Sequence, residues 1–301
     1  MSAEIISGKL IAERVYSQLK SRIDKITRNF GRPPGLGVVL VGTDAASQVY
    51  VRMKTKMCDK LGIFSDAVTL DVDTKQSEVL KQVNELNNRE DIDGILVQLP
   101  LPSQCDEEEI LNAISPDKDV DGFHPLNVGK LLIGSPSFVP CTPLGVWVML
   151  KESGHSPEGK HVVVVGRSNI VGKPLVSILC QKKKDANATV TLCHSRTSNL
   201  SDVTRSADIL IAAIGRPEFI TKDMVKPGAV VIDVGVNRVD DSNAPRGYRL
   251  VGDVAFDQVA SIASAITPVP GGVGPMTIAM LMHNTVCAFE RAHCVSSLCI
   301  Y

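Results

Sequence analysis

The sequence lacks long apolar segments and has no excess of charge of one sign. Its apolar runs are short, as in residues 161–165, and none approaches the roughly 20 residues that a membrane-spanning helix needs. The 32 lysines and arginines nearly balance the 33 aspartates and glutamates, so the net charge is −1 at pH 7. Without a strong field of either sign, we expect no binding to nucleic acid or to a membrane surface.

The spacing patterns of metal-binding and disulfide-rich proteins are also missing. The eight cysteines are scattered, with no C-x-x-C pair, and none of the six histidines lies at metal-site spacing with a cysteine. The scattered cysteines are typical of reduced intracellular thiols rather than of a disulfide framework. Because no metal-site spacing is present, we expect no metal. The first 20 residues contain glutamates and no apolar signal-peptide core, which favours a cytoplasmic location. A mitochondrial location also fits if a presequence was removed.

Strand and helix patterns alternate in the first half of the chain. A length of 301 residues favours about two domains. Residues 36–42, 66–71 and 93–100 read as strands and residues 7–27, 45–61 and 76–87 as helices. The helix over 45–61 has one apolar face, formed by Val49, Met53, Met57 and Leu61. The alternation predicts an α/β domain with a mostly parallel sheet.

A second alternation follows the irregular segment 115–143 and a helix over 143–154. A strand, a glycine-containing turn and a helix begin at 159, and further strands are predicted at 188–193, 208–213, 229–234 and 248–251. This series predicts a Rossmann-like NAD(P)-binding domain. We predict a first domain of residues 1–145 plus the C-terminal helix, about 276–301, and a second of residues 146–275. A cleft is expected between them.

Several polar residues of the first half are candidates for chemistry. Tyr50 and Lys54 are four residues apart and share a helical face. A lysine acts as a general acid or base when burial or a neighbouring charge lowers its pKa, although an isolated lysine is more often solvated. Gln98 follows an apolar strand and either orients a ligand or caps the strand end. Asp117, Asp119 and Asp121 alternate in one segment, which fits a single functional carboxylate among them better than a calcium loop.

The turn after residue 165 and the end of the next strand indicate a dinucleotide site. Gly166 opens a turn that leads to a helix, as phosphate-binding turns do, although this departs from G-x-G-x-x-G. Ser195 and Arg196 stand where the adenosine ribose is usually read, with no acidic residue beside them. A hydroxyl and a guanidinium suit a 2′-phosphate, which favours NADP over NAD. The alternative is a solvated loop.

The order of seven motifs, ending in T-P-V-P-G-G-V-G-P-M-T at 267–277, resembles the methylenetetrahydrofolate dehydrogenase/cyclohydrolase family. The others are Y-V-R-M-K, V-Q-L-P-L-P, D-K-D-V-D-G, P-C-T-P-x-G, V-V-G-R-S-x-I-V-G-x-P and C-H-S-R-T. The likeness is collinear from about residue 4 to about 290. It implies NADP-dependent oxidation of 5,10-methylenetetrahydrofolate to the 5,10-methenyl cation, followed by hydrolysis to 10-formyltetrahydrofolate. It also implies a homodimer, with strands near 230–250 as candidates for its interface.

The resemblance further implies a role for individual residues. Lys54 matches the catalytic lysine, Gln98 its partner, and Asp121 the carboxylate that holds the pterin. Tyr50 matches the ring that packs on the aminobenzoate. Backbone segments expected to line the folate site are Val97 to Leu99 and Pro270, Gly271, Gly272, Val273 and Gly274. Expected cofactor contacts are Gly166, Arg167, Ser168, Ser195 and Val236, with Thr142 and Thr277 near the nicotinamide.

Two other functions stay open from the sequence. One is a different two-domain Rossmann oxidoreductase resembling shikimate dehydrogenases, against which the 267–277 loop and the Y-x-x-x-K spacing argue. The other is a non-catalytic dinucleotide-binding relative, against which the intact Tyr50, Lys54, Gln98 and Asp121 argue. The segment 180–190 departs from the family pattern and is interpreted as a solvated basic loop. NAD also stays open as the cofactor.

Overall fold

The computed structural model describes residues 3–242, 244, 247–295 and 300. The chain divides into two compact units, which confirms the two-domain α/β class. The first unit contains the chain up to Glu13 together with Thr142–Thr277, and the second contains Arg14–Cys141 together with the chain from Ile278 onward. Two long helices, α1 (Gly8–Phe30) and α10 (Val273–Ala292), therefore contribute residues to both units.

The second unit is built on a parallel sheet of three strands. Its central strand, β2 (Gly35–Val41), is buried at all seven positions because β3 and β4 pair with it on either side. Apolar side chains of these strands and of α3 form one core. The remaining elements are α2 (Ala45–Leu61), β3 (Phe64–Leu70), α3 (Gln76–Asn88), β4 (Gly94–Val97), α4 (Glu107–Asn112) and α5 (Pro125–Leu132).

The segment 115–143 is less irregular than predicted. Helix α5 lies within it, with Pro125 in its first turn, where a missing N–H costs no hydrogen bond. The imidazole of His124 caps this helix by accepting a hydrogen bond from the Leu126 amide, with Nδ1 and N 3.1 Å apart. The high proline and glycine content concealed a helix of only eight residues.

The first unit contains a six-stranded parallel sheet in the order β1-β11-β8-β7-β5-β6. Two of its strands, β1 and β11, have two residues each and were not predicted. The strands are β1 (Glu4–Ile5), β5 (His161–Val165), β6 (Thr189–Cys193), β7 (Ile209–Ala212), β8 (Val230–Asp233) and β11 (Ala265–Ile266). The helices are α6 (Cys141–Glu152), α7 (Gly172–Leu179), α8 (Leu200–Arg205) and α9 (Phe256–Ala260), with a 3-10 helix at Lys222–Met224.

The prediction that 248–251 continues the Rossmann sheet is wrong. These residues form β10 (Tyr248–Val251), which pairs antiparallel with β9 (Asn237–Asp240) in a separate two-stranded ribbon. A strand inside a parallel sheet is apolar on both faces, as the fully buried β7 and β8 are. In β10 only Val251 is buried, so the strand belongs at a surface.

Two further expectations concern membranes and thiols. Across residues 3–242, 244, 247–295 and 300, no helix is both long and apolar enough to cross a membrane. Seven cysteines in that part of the chain are free thiols. Cys299, the eighth, lies outside the described residues.

Candidate active site

Lys54 and Gln98 form a direct pair in the second unit. Lys54 lies in the middle of α2 and is only 7% exposed. Its Nζ donates a hydrogen bond to Oε1 of Gln98, 2.9 Å away. Gln98 follows the last residue of β4, and its Nε2 donates to the Leu99 carbonyl oxygen at 2.7 Å. Both ends of the Gln98 amide are thus engaged, which fixes the oxygen that Lys54 contacts.

The buried face of α2 is not the apolar face predicted from its sequence. Ser47, Val51, Lys54, Cys58 and Leu61 are buried, whereas the side chains of Val49 and Met53 are 50% and 41% exposed. The prediction that Val49, Met53 and Met57 share the inward face with Leu61 is therefore wrong. The helix instead turns a lysine inward, where its charge needs polar partners.

Asp121 is the second charged group near Lys54. It is half-buried, and burial raises the pKa of its carboxyl group, an effect that the nearby ammonium of Lys54 opposes. The Cys141 thiol donates a hydrogen bond to the Val120 carbonyl oxygen, 3.4 Å away, and burial raises the pKa of that thiol well above its usual range. The structure therefore brings together Lys54, Gln98 and Asp121, which are far apart in the sequence.

Tyr50, Val97 and Leu99 flank this group. Tyr50 lies one turn before Lys54 on α2 and is half-buried, which raises the pKa of its phenol. Val97 is the buried last residue of β4, and Leu99 precedes a cis peptide bond to Pro100. The polypeptide thus presents the Gln98 side chain between two apolar residues at the carboxyl end of a parallel strand, where open α/β sheets bind ligands.

The glycine-rich segment 270–274 lies in the first unit and is partly helical. Gly271 has φ +105° and follows a cis Val269–Pro270 bond. Helix α10 begins at Val273, three residues before the predicted start, because Pro275 in its first turn needs no N–H partner. The loop approaches the start of α1 closely, since a Cβ on Gly8 would lie 1.8 Å from the Gly272 carbonyl oxygen. Gly8 was not singled out from the sequence.

The predicted phosphate turn has the tight backbone that such a site needs. Gly166 has φ +129°, and a Cβ there would lie 2.0 Å from the Ala213 carbonyl oxygen. A Cβ on Gly172 would lie 1.8 Å from the Gly166 carbonyl oxygen, so this glycine allows α7 to pack against the strand end. Arg167 and Ser168 are exposed in the turn, and the Ser168 hydroxyl accepts a hydrogen bond from the Val171 amide at 3.1 Å.

The other predicted cofactor residues lie elsewhere in the same unit. Ser195 is exposed directly after β6. Val236 is 45% exposed between β8 and β9. The hydroxyls of Thr142 and Thr277 lie 2.9 Å apart, at the starts of α6 and α10.

Two buried carboxylates that the sequence interpretation missed organise the loops around Val236. Asp253 is fully buried and accepts hydrogen bonds from the amides of Ile214, Gly215 and Arg216 at 2.6–2.9 Å. Asp233, at the end of β8, accepts from three more amides. Burial raises the pKa of Asp233 to about 7. Asp233 is the last residue of the buried strand β8, and Asp253 lies two residues after β10.

Within the described ranges, no cluster of three or more histidine, cysteine, aspartate or glutamate side chains is placed to hold a metal ion. The candidate site of the second unit therefore consists of an amine, an amide and a carboxyl group. Together these groups can accept or donate a proton and hydrogen-bond a polar heterocycle.

Comparisons with known proteins cover nearly the whole chain. Residues 6–121 match the family model described as the catalytic domain of tetrahydrofolate dehydrogenase/cyclohydrolase, and residues 140–293 match its NAD(P)-binding domain. The "Bifunctional protein FolD" of Chlorobium chlorochromatii is 55% identical to this chain over 291 residues, which are 96% of this chain and 99% of that protein.

Two solved structures are similar to this chain throughout. The bifunctional FolD methylenetetrahydrofolate dehydrogenase/cyclohydrolase of Campylobacter jejuni has a TM-score of 0.90 and 45% identity, covering 96% of this chain and 100% of that one. The Trypanosoma brucei methylenetetrahydrofolate dehydrogenase-cyclohydrolase, complexed with NADP cofactor and inhibitor, has a TM-score of 0.93 and 40% identity, covering 97% and 99%.

Proposed function

This chain belongs to the tetrahydrofolate dehydrogenase/cyclohydrolase family, and from that premise we propose that it catalyses two successive steps on one folate. It oxidises 5,10-methylenetetrahydrofolate to the 5,10-methenyl cation with NADP+, then hydrolyses the cation to 10-formyltetrahydrofolate. The observation that carries this proposal is the buried Lys54–Gln98 hydrogen bond, 2.9 Å long, with Asp121 close by. A non-catalytic relative would have no need to bury this lysine.

Hydrolysis assigns a distinct task to Lys54. The methenyl carbon is already electrophilic, so no metal is required to activate it. Water adds its oxygen to that carbon while one water proton passes to a general base, and we assign this role to the amine of Lys54. The hydroxyl of this adduct then loses its proton as the carbonyl forms, the bond from the carbon to N5 breaks, and N5 takes up a proton. Gln98 holds the amine in one orientation, because its Oε1 accepts a hydrogen bond from one of the N–H groups of Lys54.

Binding of the folate is assigned to the groups around Lys54. The Asp121 carboxylate suits the pterin, which presents several N–H donors along one edge. The half-buried ring of Tyr50 suits an aromatic contact with the aminobenzoate. Val97, Leu99 and the segment 270–274 contribute backbone. This proposal includes the predicted domain boundaries. The folate-binding domain is assigned to residues 1–145 with about 276–301, and the cofactor-binding domain to residues 146–275.

The residues of the first unit fit a dinucleotide. Gly166 and Gly172 leave no room for a Cβ, so the backbone of the turn can approach a pyrophosphate closely. We assign cofactor contacts to Arg167, Ser168 and Val236, with Thr142 and Thr277 near the nicotinamide. When bound, the nicotinamide supplies the acceptor for the hydride that leaves the methylene carbon. The protein itself aligns the two reactants and excludes water.

NADP is the proposed cofactor because of the residues after β6. Ser195 and Arg196 are both exposed there, and a hydroxyl with a guanidinium suits a 2′-phosphate, whereas a carboxylate would suit a free 2′-hydroxyl. The similar Trypanosoma brucei structure contains NADP.

We further propose a homodimer in the cytoplasm. The β9–β10 ribbon, with Leu250 39% exposed, supports an interface there, and sedimentation velocity tests it.

The substitution Lys54→Ala tests the role of the lysine. We expect methenyltetrahydrofolate hydrolysis to fall by about 10²–10⁴-fold, the usual contribution of a general base. The loss of methenyl absorbance reports this reaction, and the affinity for NADP+ should not change. The matched control is Lys56→Ala, which removes an exposed lysine from the same helix. Hydrolysis by Lys54→Ala at the rate of Lys56→Ala would reject the role assigned to Lys54.

A further inference from the structure

Asp119 is a buried carboxylate with four hydrogen-bond donors arranged around it. It is 1% exposed. One oxygen accepts from the amides of Gly122 and Phe123 at 3.1 and 3.2 Å. The other accepts from the His124 amide at 2.9 Å and from Nδ2 of Asn127 at 2.8 Å. Three consecutive amides and one side chain therefore fix the turn over residues 119–124.

This turn is anchored to the strand that leads to Gln98. The Ile95 amide in β4 donates to the Lys118 carbonyl oxygen at 2.7 Å, and Asp119 forms an isolated parallel bridge with Ile95. Nδ2 of Asn127 also donates to the Pro116 carbonyl oxygen at 2.9 Å. The backbone of residues 118–119 thus contacts β4, and the Asp119 carboxylate connects this segment to the start of α5.

The other side of the turn is held just as closely. Gly122 has φ +75°, and a Cβ there would lie 2.9 Å from the Pro140 nitrogen. Cys141, the next residue, donates a thiol hydrogen bond to the carbonyl oxygen of Val120, the residue before Asp121, at 3.4 Å. Asp121 is therefore located between two fixed points, the Asp119 carboxylate and the segment that ends at Cys141. A shift of the turn would move Asp121 relative to Lys54.

We propose that Asp119 is a positioning residue for the folate site, since its carboxylate holds the turn in the form that places Asp121 beside Lys54. Asp119 does not itself contact the substrate. The inference rests on the proposed function, because it assumes that Asp121 and Lys54 bind and convert a tetrahydrofolate. It explains why a charged residue is buried two positions before Asp121.

The charge of Asp119 also acts on Asp121. Burial is the main cause of the raised pKa of Asp121, and the negative charge of Asp119 raises it further. The groups that face Asp121 are Lys54 on α2, which opposes this shift, Asp119 in the same turn, and the Cys141 thiol at the start of α6. Removing the Asp119 charge should therefore lower the pKa of Asp121. A reaction that needs the Asp121 carboxylate would then begin at lower pH.

The test compares Asp119→Asn with Asp117→Asn in the full chain. Asp117 is exposed and lies two residues away, so its substitution removes the same charge without breaking the turn. Tetrahydrofolate is the probe, titrated against each protein from acid to neutral pH. We expect its dissociation constant at neutral pH to rise about tenfold or more in Asp119→Asn, as for the loss of hydrogen bonds to a charged group. The acid limb of the pH profile of tetrahydrofolate binding should move to lower pH in Asp119→Asn. The affinity for NADP+ should not change.

Three results would overturn the inference. Unchanged tetrahydrofolate affinity and an unchanged pH profile would show that the turn does not depend on Asp119. A parallel loss of NADP+ affinity would show that Asp119 supports the fold as a whole. No tetrahydrofolate binding by the unsubstituted protein would reject the proposed function and the inference with it. If Asp119→Asn does not fold, Asn127→Ala, which removes one of the four donors, should weaken tetrahydrofolate binding in the same direction by a smaller factor.

Discussion

At the scale of single residues, the environment of Lys54 decides its chemistry. A buried amine whose N–H is held by a fixed amide oxygen has few accessible rotamers. The spacing of Tyr50 and Lys54 made a shared face predictable, but only the family motifs distinguished Lys54 from a solvated lysine. The pairing with Gln98 was likewise implied only by the family motifs, because its position after a strand also fits a residue that caps the strand end.

Asp119, Asp233 and Asp253 escaped prediction as supporting residues for a physical reason. Each accepts hydrogen bonds from several backbone amides of a nearby turn. Such a role depends on the turn conformation, which the sequence alone does not show. A buried aspartate near a glycine-containing turn is nevertheless a usable signal, because an ion is buried only when donors surround it.

Asp233 leads to a prediction about stability and pH. Its folded pKa of about 7 lies above the ordinary 3.8, so the folded protein binds this proton more tightly than the unfolded chain. The resulting stabilisation is complete below about pH 4 and is lost as the pH rises through about 7. It can reach about 4 kcal/mol, at about 1.4 kcal/mol per pKa unit.

The substitution Asp233→Asn removes this titration. We expect the free energy of unfolding of the unsubstituted protein, relative to that of Asp233→Asn, to fall between about pH 4 and pH 8. Urea unfolding at several pH values measures it, with the exposed Asp257→Asn as the control. A relative free energy that rises with pH would mean that the pKa of Asp233 is lowered in the folded state.

At the scale of elements, α2 shows where pattern reading fails. Its bounds, Ala45–Leu61, match the predicted 45–61, because Asp44 caps the start and Gly62, with φ +81°, ends it. Its orientation was wrong, because the helix has apolar residues on two faces. The polar Ser47 and Lys54 are buried where partners are available, and tertiary contacts of this kind override a periodicity argument.

The 180–190 segment is anchored rather than fully solvated. The indole Nε1 of Trp147 donates to the Asp185 carbonyl oxygen at 2.6 Å, and the Lys183 ammonium lies 5.7 Å from the indole ring. Ala186, in the same segment, is fully buried. Only Lys182 and Lys184 of the three consecutive lysines are exposed. Its composition predicted solvation, and the contact with a distant tryptophan could not be inferred.

Helices α1 and α10 are joined within the second unit by a buried ion pair, which gives a stability prediction. Arg22 Nη2 lies 2.6 Å from Glu290 Oε2, with the side chains 15% and 5% exposed. The substitution Glu290→Ala leaves the guanidinium buried without that carboxylate, and we expect a loss of about 3–5 kcal/mol in the free energy of unfolding. Chemical denaturation measures this.

The control for that prediction is Asp24→Ala on α1. Asp24 pairs with Lys20 on the surface, where both side chains are about half exposed, so the expected loss is about 0.5 kcal/mol or less. Equal losses for Glu290→Ala and Asp24→Ala would contradict the importance assigned to the buried pair.

At the scale of the whole molecule, the α/β class and the Rossmann-like unit followed from the alternation of strands and helices. The two short strands β1 and β11 did not, because two residues carry no periodic signal. Strand 248–251 was assigned to the wrong sheet because the sequence of a short strand does not show which other strand it pairs with. The site could be predicted only as a set of collinear motifs, since Lys54, Gln98 and Asp121 meet through the fold.

The measurement that tests the central claim most directly is turnover of 5,10-methylenetetrahydrofolate by the purified full chain. Reduced cofactor and methenyl absorbance are followed together, with NADP+ and NAD+ in parallel. The proposed function predicts that NADPH forms, that the methenyl signal stays low because the cation is hydrolysed, and that 10-formyltetrahydrofolate accumulates. The absence of reduced cofactor with both NADP+ and NAD+ would contradict it.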